Sequence, residues 1–135
     1  MKKLMYVVLV AALVAGCSST SSVMKKEHFE KAELGYMTIL RSDNNGAVES
    51  AIFTIVENQL HYPKQNTAVL QRELARLTVE GATPAIRTKA ELAHQFLKQN
   101  DAEMVSQVVA DYIDPEKLFG VISKTLNNEA LLANE

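Results

Sequence analysis

From Lys25 onward, apolar residues return every three or four positions, and the runs that carry this rhythm are separated by glycine, proline and capping residues. Phe29, Ala32, Tyr36, Met37 and Leu40 trace one stripe over 25–41. After the turn Ser42-Asp43-Asn44-Asn45-Gly46, a second stripe holds Val48, Ala51, Ile52, Ile55, Val56 and Leu60. Tyr62-Pro63 stops it, because the residue before a proline avoids helical backbone. Such spacing gathers side chains on one face of an α-helix, whereas a half-buried strand alternates every second residue. Asn45-Gly46 is also a hairpin signal, and 52–56 is rich in β-branched residues. The apolar positions there do not alternate, so the segment reads as helix.

The same punctuation predicts four more helices. Asn66 or Thr67 caps a segment whose stripe is Leu70, Leu74 and Leu77, with Arg72, Glu73, Arg76 and Glu80 placed outside, and Gly81 ends it. Thr83-Pro84 is a cap followed by a first-turn proline, and the helix it opens carries a broad face of Ile86, Ala90, Ala93, Phe96 and Leu97. A face that wide implies neighbours on more than one side, hence a central helix. Asn100-Asp101-Ala102-Glu103 has capping-box spacing ahead of Val105, Val108, Val109 and Tyr112. Asp114-Pro115-Glu116 repeats the cap-then-proline start before Leu118, Phe119, Ile122 and Leu126, and fraying is expected from Asn127. About six helices with short connections make an all-α fold of antiparallel neighbours, either a closed bundle or a short stack.

The first 24 residues have a different character. Lys2 and Lys3 precede an uncharged run over 4–16, which is shorter than the roughly 20 residues a spanning helix needs. Basic start and short apolar run fit a secretory signal. The run ends in Val14-Ala15-Gly16-Cys17, which resembles the bacterial lipobox, with valine at Val14 where leucine is commonest. That resemblance implies a diacylglyceryl group on the Cys17 sulfur, cleavage after residue 16, and a membrane foot of two or three acyl chains; one chain alone holds only marginally. Ser18 stands where an aspartate would signal inner-membrane retention in enteric lipoproteins, which favours the outer membrane, facing the periplasm. Residues 1–16 are therefore expected as signal, 17–24 as lipidated cysteine and serine-rich tether, 25–128 as the helical domain and 129–135 as a frayed tail.

Ile86-Arg87-Thr88-Lys89-Ala90, following Thr83-Pro84, resembles the opening of the second half of a HEAT-type repeat. Asn45-Gly46-Ala47-Val48-Glu49-Ser50-Ala51 echoes it about 38 residues upstream, near the period of such repeats, although Glu49 stands in the arginine position. The resemblance implies stacked helix pairs with a binding ridge or groove, and gives Arg87 the role of holding neighbouring turns together; the plain reading of Arg87 is a surface pair with Glu91.

Chemistry is sparse. Cys17 is the only cysteine, so once acylated it leaves no thiol for catalysis, disulfides or metal. Glu91-Leu92-Ala93-His94 has the Glu-x-x-His spacing of di-metal bundles, but such a site needs a second copy and further carboxylates, and Glu57 with His61 is spaced by four. Glu73 and Glu80, with Arg72 and Arg76 alongside, read as a salt-bridged surface. There is no nucleophile elbow, phosphate loop or His-Glu-x-x-His, so no catalytic, cofactor or metal residue is assigned and no small-molecule substrate is indicated. Removing Lys2 and Lys3 takes the formal charge from -2 to -4, and the remaining bases are scattered among acids, which argues against nucleic acid. The expected function is a non-enzymatic interaction or scaffold module with a protein partner. Alternatives are a pilotin-like helper for an outer-membrane complex and, less favoured, a metal protein or enzyme using Glu91 and His94.

Overall fold

The computed structural model describes residues 23–99, 102–111 and 114–133. These form α1 (Lys26–Leu40), α2 (Asn45–His61), α3 (Ala68–Glu80), α4 (Pro84–Gln99), α5 (Ala102–Asp111), a 3-10 turn (Pro115–Lys117) and α6 (Leu118–Ala133), with no strand among the described residues. The fold is all-α. No helix among these residues is long and apolar enough to cross a membrane.

Capping chemistry explains most boundaries. Asn44, not the residues after it, opens α2: its side chain accepts from the Ala47 backbone N–H at 3.1 Å, so Asn45-Gly46 lies within the first helical turn and no hairpin forms. Asn66 accepts from Ala68 N–H at 3.1 Å at the start of α3, while the Thr67 hydroxyl accepts from the Gln71 side chain instead. Thr83 accepts from Ile86 N–H ahead of Pro84, and Asp114 accepts from Glu116 N–H ahead of the 3-10 turn. The capping box expected at Asn100-Asp101 lies outside the described residues. At the other end α6 continues to Ala133, past Asn127 where fraying was expected. The stretch Glu129-Ala130-Leu131-Leu132-Ala133 is made of strong helix formers, and that propensity carries the helix on.

The helices pack as three consecutive hairpins in a compact bundle. α1 lies on α2, α3 on α4 and α5 on α6, while α1–α3, α2–α4 and α4–α6 join one hairpin to the next. Hence α4 touches α2, α3 and α6, as its broad apolar face requires. Ile86, Ala90, Ala93, Phe96 and Leu97 of α4 are all buried, against Ile52 and Val56 of α2, Leu70 and Leu74 of α3 and Ile122 of α6 within one core. Each large side chain so enclosed contributes about 1.5–3 kcal/mol. Across the top of that core, Lys89 Nζ on α4 donates to Glu49 Oε2 on α2 at 2.7 Å and lies 5.8 Å from the Phe119 ring centre on α6. One side chain thus bridges all three hairpins.

This antiparallel order gives the domain two ends. Val23 and Met24 enter beside the α2–α3 connection, where Met24 N–H donates to Gln65 Oε1 at 2.9 Å. The α1–α2 and α3–α4 turns lie at the opposite end, one helix length away.

Gly81, in the α3–α4 turn, is required by close approach. A Cβ there would sit 2.6 Å from the Leu77 carbonyl oxygen, 2.9 Å from Arg87 Cγ and 3.0 Å from Ile86 Cγ2. Backbone cannot yield as a side-chain tip can. Gly81→Ala is expected to lower the unfolding free energy by about 1–3 kcal/mol, the usual penalty of overpacking. Urea denaturation checks this: a lower midpoint at unchanged m-value is expected, and an unshifted midpoint rejects the steric argument.

Candidate functional site

A cleft of about 440 Å³ opens between the α1–α2 turn and the α3–α4 turn. Its walls include Arg41, Asp43, Asn45, Arg76 and Glu80, and the core residues Leu40, Val48, Leu77 and Ile86 close it from behind. Each charged wall residue is placed by local folding. Arg41 is the first residue past α1, Asp43 lies in the turn ahead of Asn44, and Arg76 and Glu80 are one helical turn apart on α3.

Glu73 organises this wall. Although charged, it is only 4% exposed, and both its oxygens are used. Arg41 donates from Nε to Oε1 and from Nη2 to Oε2, both at 3.2 Å, and Arg76 donates to Oε1 from Nε at 2.9 Å and also from Nη2. Arg76 donates onward from Nη1 to Glu80 Oε2 at 2.9 Å. Burial pushes the Glu73 carboxyl up, but the hydrogen bonds and charges of Arg76 and Arg41 more than offset this and hold it below the ordinary 4.5. Arg76 is shifted the other way, upward, chiefly by its hydrogen bonds to Glu73 and Glu80. It stays charged. The result is a chain of fixed charges, Arg41–Glu73–Arg76–Glu80, running from a buried carboxylate to an exposed one.

This corrects the sequence reading of α3, which placed Glu73 on the outer face. Glu73 lies three residues after Leu70 and four before Leu77, inside the buried stripe, and that spacing was the available signal. Arg41, 32 residues away, gave none.

Arg87 is half-buried and donates from Nη1 to the Gly81 carbonyl at 2.8 Å. That bond ties the end of α3 to the start of α4 within one hairpin; it does not reach a neighbouring hairpin, and among the described residues Arg87 forms no ion pair with Glu91. Glu91 is exposed and accepts from the Gln95 side chain, while His94 is half-buried. His61 is exposed with Glu57 half-buried, and Glu27 and His28 are exposed. Among the described residues no group of three or more His, Cys, Asp and Glu is arranged to hold a metal ion. Cys17 and the lipobox lie outside the described residues.

A second opening, about 370 Å³, sits at the chain-entry end between α1 and α3, with Val23, Met24, Phe29 and Val69 beside Glu30 and Glu33. Burial, then the neighbouring Glu30 charge, raise Glu33 above its ordinary value against a smaller opposing pull from Arg72. No family model, no curated protein and no solved structure matches the chain.

Proposed function

We propose that the protein is a membrane-anchored bacterial envelope lipoprotein whose helical domain acts, without enzymatic chemistry, as a docking module for a partner protein. The anchor is the acylated Cys17, the outer membrane its destination, and the serine-rich residues up to Met24 its tether. The observation that carries this reading is the opposition of the two ends. Chain from the anchor side enters at Met24 beside Gln65, and the charged cleft with Arg41 and Arg76 lies at the far end of α1. Fifteen helical residues separate these ends by about 22 Å at 1.5 Å per residue. An anchored domain would then present the cleft away from lipid.

The test is acylation and fractionation in a Gram-negative host. Wild-type protein is expected to incorporate labelled palmitate and sediment with membranes, and Cys17→Ser is expected to lose essentially all label and persist as precursor. Intact-mass analysis of the wild type that finds a free thiol at Cys17 with residues 1–16 still attached would overturn the proposal.

A further inference from the structure

Resting on the docking reading above, we infer that the cleft recognises a partner segment through one carboxylate, held by the outer edge of the Arg41 guanidinium, with a nearby basic residue meeting Asp43. A guanidinium has five N–H donors and two usable forks. Glu73 occupies the side fork of Arg41, Nε and Nη2, from its buried position. The end fork, Nη1 with the second hydrogen of Nη2, has no partner among the described residues, and the Arg41 side chain is 63% exposed at the cleft wall. Arginine usually gives up rotamer freedom on binding; here the Glu73 pairing has fixed the plane of the guanidinium beforehand.

The charges around it select the ligand. Arg76 is matched by Glu73 and Glu80, whereas the end fork of Arg41 has no partner among the described residues. Asp43, two residues on and exposed, forms no ion pair among the described residues. Glu80 and Asp43 repel a dianion, which disfavours phosphate, whereas a single carboxylate satisfies the fork by a charge-assisted bidentate pair. An outward cation-and-anion pair is met best by a segment presenting the opposite pair, an acid and a base within one helical turn. Glu73 is a positioning residue: it touches no ligand and holds the group that does.

The experiment follows the arginine side-chain N–H signals of the full-length chain by NMR. Its probes are acetyl-Glu-Ala-Ala-Lys-amide, the same peptide with glutamine for glutamate, and inorganic phosphate. A saturable shift at Arg41 is expected with the glutamate peptide, and binding about ten- to a hundredfold weaker with the glutamine peptide and with phosphate. Arg41→Lys keeps the charge and loses the fork; read at the backbone amides of Ser42 and Asp43, which both proteins keep, the saturable response is expected to disappear while the Arg76 signal, bonded to Glu73, stays in place. Equal titration by the glutamate and glutamine peptides overturns the proposal, as does tighter binding of phosphate or an undiminished response in Arg41→Lys. Acylation of Cys17 is read separately, so loss of this site leaves the anchor reading standing and the reverse also holds.

Discussion

Truncating Phe96 to alanine should lower the unfolding free energy by about 3–5 kcal/mol, the range for emptying an aromatic site in a closed core. Phe96 is fully buried on α4, the helix that touches α2, α3 and α6, so the space it leaves is bordered by groups from several helices that cannot all move in together. A domain of this size holds about 5–15 kcal/mol in total, so this single change removes a large share. Phe96→Leu keeps most of the volume and should lose less than about 1.5 kcal/mol. Urea unfolding followed by far-UV circular dichroism compares them. A loss below about 1 kcal/mol for Phe96→Ala would mean that the core is not centred on α4.

Glu73→Ala is the second large effect, and its pH dependence is diagnostic. Removing one partner of a buried ion pair costs about 3–5 kcal/mol when the other charge is trapped. Here Arg41 and Arg76 both retain access to water, with side chains 63% and 34% exposed, so about 1–3 kcal/mol is expected at neutral pH. The Glu73 carboxyl titrates below its unfolded value of 4.5 in the folded protein. Its contribution is therefore fully present above that unfolded value and is lost as pH falls through the lower, folded one. Wild-type stability should fall on acidification below about pH 4.5, and Glu73→Ala should flatten that limb. Glu33, raised in the folded state, acts in the opposite sense: protonation favours the fold as pH falls through its folded value toward 4.5. A variant whose acid limb parallels the wild type would show that the Arg41 and Arg76 bonds do not govern the Glu73 proton.

Where helices begin and end was legible wherever the signal is local. Asn66, Thr83 and Asp114 each supply the cap that their position announces, and Gly81 stops α3. The centrality of α4 was legible too, because a helix buried on several sides must be apolar on several sides. The site was less so. Glu73 has the right spacing to face inward, but a carboxylate in a buried stripe is tolerable only with counter-charges, and one of them, Arg41, arrives from another hairpin through the fold. Arg87 shows the same limit: its sequence context suggested a hold on neighbouring turns or a surface pair with Glu91, and its acceptor is the backbone carbonyl of Gly81, six residues earlier. Side-chain identity was readable; partner identity was not.

Each hairpin packs on its sequence neighbour, so the third is joined to the first mainly through the second. The first two hairpins meet along two helix pairs, α1–α3 and α2–α4, whereas the third joins chiefly through α4–α6. All the walls of the Arg41 cleft belong to those first two hairpins. The third hairpin therefore acts on the cleft at second hand, through α4, which gives Ile86 to the cleft's back wall and Lys89 to the Phe119 ring.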